Sequence, residues 1–218
     1  NSKAQITMST DKVDSLKIGL AGFWGDATIE LGNGTTINSS ELSSLPIYFN
    51  KNYSEKKSHL ITINGSGLNT ISGMFCFNNE LTSLNVSNNP KLKTLEILKN
   101  ILKDIDISKN IELTELNCTW NQLKSLDVTK NTLLEILSCE NNQLTSLNVC
   151  NNTKLMSLFL RSNQLNSNQL NNLFKTLHKN KIWEKTIYIG GNPGAENCDK
   201  SIATKKGWIV DSEPVEFK

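Results

Sequence analysis

LKTLEILKN at residues 92–100, LTELNCTWN at 113–121 and LEILSCENN at 134–142 follow one another at intervals of 21 residues and share one pattern. The register extends both ways from them. Ile71, Leu92, Leu113, Leu134 and Leu155 open successive units, and Met74, Leu95, Leu116, Leu137 and Leu158 follow three residues later. Cys76, Ile97, Cys118, Cys139 and Leu160 come next, then Asn79, Asn100, Asn121, Asn142 and Asn163. Five units at constant spacing predict a solenoid, in which stacked coils bury the apolar face that no single coil can bury alone.

The pattern L-x-x-L-x-(C/L/I)-x-x-N is the leucine-rich-repeat signature. Alternation within L-x-C turns every second residue inward, so the first half of each unit predicts a short strand and the stack a parallel sheet. The second half begins at Leu81, Leu102, Leu123 and Leu144 and returns along the opposite face, with Val86, Ile107, Val128 and Val149 directed into the same core. Sharp turns inside a coil leave backbone groups without ladder partners. A stacked asparagine both donates and accepts, and so can satisfy them. Asn79, Asn100, Asn121, Asn142 and Asn163, continued at Asn192, predict one such ladder; Asn89, Asn110, Asn131 and Asn152, helped by Ser87, Ser108 and Thr129, predict another at the other corner. The chain holds thirty asparagines, and their period distinguishes it from a low-complexity tract. The N-x-S/T tripeptides follow from that register and are not read as glycosylation sites.

The ends of a solenoid need covering. Residues 1–64 have no repeat register but show β-like runs at 17–21, 27–31, 46–49 and 59–63, with a turn signal at Gly32-Asn33-Gly34. They predict a small β-sandwich-like domain leading into the first coil. Repeats occupy 65–164. Within 165–218, Leu170, Leu173, Phe174 and Leu177 predict an amphipathic helix from near Ser167. Ile187, Ile189 and Asn192 restore the strand pattern, a short helix follows over about 199–206, and Trp208-Ile-Val210 closes as an apolar strand with Trp208 in the core. The fold class is therefore mixed and mostly β: a leucine-rich-repeat solenoid with an N-terminal β-sandwich-like domain and a C-terminal α/β cap.

A formal net charge of +2 without a polybasic cluster gives no footprint for nucleic acid or an anionic membrane. No apolar run is long enough to cross a bilayer. The start at Asn1 carries no signal-like stretch, so an export signal is expected to be removed or lacking. Cys76, Cys118 and Cys139 read as small buried hydrophobes, Cys150 replaces a Ser or Thr, and Cys198 lies outside the repeats. Coils about 4.8 Å apart would let Cys118 and Cys139 form a disulfide, with free thiols the plainer reading. No Cys/His spacing suits zinc, so neither metal nor cofactor is expected.

The repeats are similar to those of exported leucine-rich-repeat proteins of gut-dwelling bacteria, with L-x-x-L-x-C-x-x-N followed by L-x-x-L-D-V-S/T-x-N. Ile187-Tyr-Ile-Gly-Gly-Asn-Pro-Gly194, Cys198-Asp-Lys and Lys206-Gly-Trp208 resemble the cap those proteins carry. Ile29-Glu-Leu-Gly-Asn-Gly-Thr35 resembles the PKD-like strand–turn motif, usually Asp-x-Gly-Asp-Gly, with Glu30 and Asn33 departing from it. The resemblance implies a bacterial protein that is secreted or held at the cell surface by an outer-membrane anchor, and adhesion is the role ascribed to many of its kind. It supplies no ligand.

Outward positions of the strands form the candidate binding face. One column reads Phe75, Glu96, Asn117, Ser138, Phe159 and Tyr188; another reads Gly73, Thr94, Glu115, Ile136, Ser157 and Thr186. Beyond the strands come Phe77, Leu98, Thr119, Glu140 and Arg161, then Asn78, Lys99, Trp120, Asn141 and Ser162. Clustered exposed aromatics mark interaction surfaces. Trp120 and Phe159 are the foremost candidate ligand contacts, joined by Phe75, Phe77 and Tyr188, for which packing under the flanking segments is the alternative. Glu140 and Arg161 predict a cross-strand ion pair worth under about 1 kcal/mol. Glu96 and Glu115 lie on neighbouring strands and are the pair a glycosidase would use, but nothing else supports catalysis. Asp104, Asp106 and Asp127 read as solvated turn residues. His59 and His178 lie outside the repeats, and no nucleophile elbow or phosphate loop is present. The expectation is a monomeric, non-enzymatic binding protein for a protein or glycan, with a structural spacer as the alternative.

Overall fold

Thr94, Glu115, Ile136 and Ser157 stand side by side on neighbouring parallel strands, each 21 residues from the next, so the sequence period is the strand register. A computed structural model describes residues 5–11, 16–22, 27–32, 34, 36–39, 47–52, 58–65, 68–181 and 183–213. In chain order the strands before the repeats are β1 (Gln5–Thr10), β2 (Leu16–Ala21), β3 (Ala27–Glu30), β4 (Thr36–Ser39), β5 (Ile47–Lys51) and β6 (His59–Gly65). The repeats add β7 (Gly73–Phe75), β8 (Leu81–Asn85), β9 (Thr94–Glu96), β10 (Glu115–Asn117), β11 (Ile136–Ser138) and β12 (Ser157–Phe159). The chain continues through α1 (Ser167–Thr176), β13 (Lys185–Tyr188), α2 (Ser201–Thr204) and β14 (Trp208–Asp211).

Among the described residues these strands form two sheets. Nine strands line up as β14-β13-β12-β11-β10-β9-β7-β2-β5, and five as β4-β3-β6-β1-β8. Between the walls lies a continuous core to which each coil contributes the same positions: Leu113, Leu116, Cys118, Leu123 and Val128 in one, Leu134, Leu137, Cys139, Leu144 and Val149 in the next, all fully or almost fully buried. A buried side chain of this size is worth about 1.5–3 kcal/mol. In the parallel wall the repeat strands β7 and β9 to β12 have three residues each, because the chain turns after each inward pair such as Leu116 and Cys118.

The runs expected at 17–21, 27–31 and 59–63 appear as β2, β3 and β6, and 47–49 of the run at 46–49 lies in β5; Pro46, with Asn33 and Thr35 of the turn motif, lies outside the described residues. The strands before the repeats do not pair only with one another. Antiparallel β2 extends the parallel wall, matching Leu20 to Met74 and Gly19 to Phe75, and antiparallel β1 pairs β8 on the other wall. Residue 64 therefore divides sequence with a repeat from sequence without one, while both sheets run across it. Sequence reading missed β1, β4 and β8. For β1 and β8 the reason is their long-range pairing: β1 is set by partners at both its edges, β6 and β8, not by a local turn.

Helix α1 begins at an N-cap Asn166 that accepts from the Gln169 N–H while the Gln169 side chain accepts from the Asn166 N–H, a reciprocal capping box. Leu170, Leu173 and Phe174 form its buried stripe. At its other end the Lys206 ammonium donates to the carbonyls of Phe174, Lys175 and Leu177, satisfying acceptors left over by the last turn. Trp208 is buried, with its indole N–H donating to the His178 carbonyl at 2.9 Å.

Candidate functional site

The strand face rests on the asparagine columns behind it. Asn121 donates through Nδ2 to the carbonyls of Ile97 (2.9 Å) and Cys118 (3.0 Å), and its Oδ1 accepts from Leu102 N at 3.1 Å. Asn142 and Asn163 repeat this with Cys118 and Cys139 as the preceding-coil acceptors and Leu123 and Leu144 as donors. Asn100 accepts from both Asn79 N and Leu81 N, and Asn192 continues the column between Leu160 O and Leu165 N. Asn79, at the start, exchanges two bonds with the backbone of Lys17 in β2. One amide column thus runs from the N-terminal strands to β13.

Directly before each of these asparagines the backbone turns left-handed: Asn78, Lys99, Trp120, Asn141, Ser162 and Gly191 have φ between 52° and 73°. Glycine and asparagine suit that conformation, and a bulky side chain is an outlier in it. At Gly191 a Cβ would also meet the Ser162 hydroxyl at 2.9 Å. Trp120 occupies a position that the coil geometry makes unfavourable for it, and it keeps 44% of its surface exposed.

Farther along the face, Phe159 and Tyr188 sit opposite each other on β12 and β13 and stack with ring centroids 4.6 Å apart and planes 2° apart. The Arg161 guanidinium lies 4.5 Å above the Tyr188 ring, within cation–π range. Arg161 also donates to Asp211 Oδ2 at 2.9 Å and to the Glu213 carbonyl at 3.1 Å, and its Nη1 is 3.5 Å from Glu140 Oε1. Burial raises the Glu140 proton affinity, and Arg161 only partly opposes that rise. The ion pair read from the repeat is therefore one arm of a larger group that also holds Asp211. Sequence analysis missed Asp211 and Ile209, which continue the columns of Tyr188 and Thr186 onto β14. The signal was available in the spacing of Trp208-Ile-Val210 from the preceding strand. Ile209 is 55% exposed, and Trp183, in the loop before β13, is 87% exposed and lies off the columns.

At the N-terminal end Phe75 and Phe77 are half-buried. Phe75 faces Gly19 of β2, and its ring lies over Gly73, where a Cβ would approach it to 3.0 Å. Mid-face, Glu96 and Glu115 are neighbours offset by two residues on adjacent strands, since Glu115 aligns with Thr94 and Glu96 with Asn117. Burial first, then the charge of Glu115, raises the proton affinity of Glu96. The two histidines lie elsewhere: His178 is buried against the Leu155 carbonyl, and His59 belongs to β6 in the other wall.

Cys76, Cys118 and Cys139 are buried free thiols. Burial pushes the Cys118 thiol up to about 12 and raises the other two, which makes these sulfurs unreactive as nucleophiles. Asp106 and Asp127 each accept from a backbone N–H two residues on, as do Asn85 and Asn148 in the same column, closing the turns of the opposite wall. The backbone bond from Ser108 lowers the pKa of Asp106, and the Thr129 hydroxyl, then the Thr129 N–H, lower that of Asp127. Among the described residues no group of three His, Cys, Asp or Glu could hold a metal ion, and no helix is long and apolar enough to cross a membrane. A cavity of about 510 Å³ at the ladder corner is lined by Lys124, Gln143, Thr145 and Gln164.

No protein-family model and no curated protein matches the chain. Three solved structures from Listeria monocytogenes are similar to it in part. An internalin (inlF) aligns over 61% of this chain and 37% of its own, at 24% identity and a TM-score of 0.48. The functional domain of InlJ, described as including a cysteine ladder, aligns over 66% of this chain and 49% of its own, at 21% identity and a TM-score of 0.37. Internalin C2 aligns over 67% and 84%, at 20% identity and a TM-score of 0.32. The chain thus spans well under two thirds of the length of the first two structures.

Proposed function

We propose that this chain is a non-enzymatic binding module of a bacterial protein, secreted or held at the cell surface, and that it recognises a protein or glycan through its strand face. Trp120 is the observation that carries the reading. Its indole stands on the strand face with 44% of its surface exposed, at a φ of 57° that bulky side chains seldom adopt. The Phe159–Tyr188 stack extends the aromatic surface, and aromatic side chains supply large contact area at little conformational cost. The Glu96–Glu115 pair lacks the companions that hydrolysis needs, so these residues serve recognition here.

The test is a binding screen against matrix proteins, mucins and a glycan panel, run beside the Trp120→Ala/Phe159→Ala double variant. The expected result is a ligand that the double variant loses, by at least tenfold in affinity, while keeping the wild-type unfolding midpoint. A ligand retained by the variant would move recognition to the flanking segments. The absence of any ligand would favour the spacer reading, in which the continuous sheet from β5 to β14 serves as a stiff rod.

A further inference from the structure

We infer that the partner of the strand face is a lysine- or arginine-bearing segment of a protein, not a glycan; the inference rests on the strand-face reading proposed above and supplies its ligand class. The ground is a separation of charge. The chain as a whole has a formal net charge of +2. Among the described residues, its outward columns from β7 to β14, together with the two rows that follow each strand, carry Glu96, Glu115, Glu140, Asp211 and Glu213 against Lys99 and Arg161 alone. Arg161 is engaged by two of those carboxylates at the C-terminal end.

Glu96 and Glu115 remain in the centre of the face, and among the described residues neither belongs to an ion pair. Any ligand laid across them removes water from two like charges on adjacent strands, where burial first and then Glu115 already raise the proton affinity of Glu96. A ligand without positive charge leaves that cost uncompensated. Sialylated or sulfated glycans add repulsion to it. An ammonium or guanidinium group offsets it directly. The apolar rings at the two ends of the face suit the flanking side chains of a peptide. Seven strands spaced about 4.8 Å apart are crossed by roughly ten extended residues, so a protein segment fits the length of the face.

The probe is a fluorescein-labelled peptide of about twelve residues alternating Lys and Ser, titrated by anisotropy against the whole chain. Its Glu-for-Lys counterpart, chitohexaose and a heparin oligosaccharide are titrated alongside. The expected result is binding of the basic peptide alone, weakening as salt is raised. Glu96→Gln/Glu115→Gln should reduce that binding at least about fivefold. Asp106→Asn/Asp127→Asn, which removes the same charge from the opposite wall, should change it by less than about twofold. Equal losses in the two double variants, or no binding of the basic peptide, would overturn the proposal. Binding of a glycan that is lost in Trp120→Ala/Phe159→Ala and kept in Glu96→Gln/Glu115→Gln would also overturn it, while leaving the strand-face reading in place. Binding of the basic peptide that survives Trp120→Ala/Phe159→Ala would count against both.

Discussion

Inward and outward positions of the same coils obey different rules. The inward columns hold Leu, Ile, Val, Met or Cys in every repeat, and the ladder column holds asparagine from Asn79 to Asn192. The outward column beside them runs Phe75, Glu96, Asn117, Ser138, Phe159, Tyr188 and Asp211, with no residue type repeated in adjacent coils except the aromatic pair. Stacking fixes what lies inside because each inward side chain meets its own equivalent in the next coil. Nothing in the coil fixes what lies outside. The outward choices therefore carry what distinguishes this solenoid from any other of the same geometry.

The sharpest break of that comparison is a cavity in the inward set. Leu116 is fully buried beneath the central strands. Leu116→Ala should lower unfolding free energy by about 2–5 kcal/mol, read from urea denaturation. The fraction that remains folded should bind ligand as well as wild type, because no outward side chain has changed. A selective loss of affinity at unchanged stability would show that the two sets are not separable.

The two asparagine columns offer a finer test. Without Asn121, Leu102 N loses its acceptor, whereas Ile97 O keeps Asn100 and Cys118 O keeps Asn142. One orphaned buried donor costs about 1–3 kcal/mol, which is the loss expected for Asn121→Ala. Asn131 differs. It donates to Ile107 O and Asn110 O, which also accept from Asn110 N and Leu113 N, and its own Oδ1 has no protein partner. Asn131→Ala strands no backbone group and should cost about 1 kcal/mol. Equal losses would mean that the asparagines act by filling volume and not through their hydrogen bonds.

The repeats were legible because their cause is periodic: a fixed register of Leu, Cys and Asn permits one coil. The aromatic and acidic face was legible for the same reason, since knowing the inward residues names the outward ones. What was not legible depends on partners far apart in the chain. Strand β1 pairs with residues 49 to 78 positions away, and Arg161 reaches Asp211 across β13. No local pattern encodes either meeting. The left-handed turn before each ladder asparagine was missed as well. Asn78, Asn141 and Gly191 hint at it, but Lys99 and Trp120 mask the column.

That turn supplies the smallest and most discriminating prediction. Lys99 has φ 54° and is exposed, so Lys99→Gly removes a steric cost with little loss of contact. Stability should rise by up to about 1 kcal/mol, less the freedom that glycine returns to the unfolded chain. Trp120→Gly relieves the same strain at φ 57° and deletes the ring. If the indole serves recognition, both glycine variants should unfold at or above the wild-type midpoint, and only Trp120→Gly should lose the ligand. If Trp120→Gly instead unfolds well below wild type while Lys99→Gly does not, the indole is held by packing, and the exposed aromatic face loses the residue that argues most strongly for its purpose.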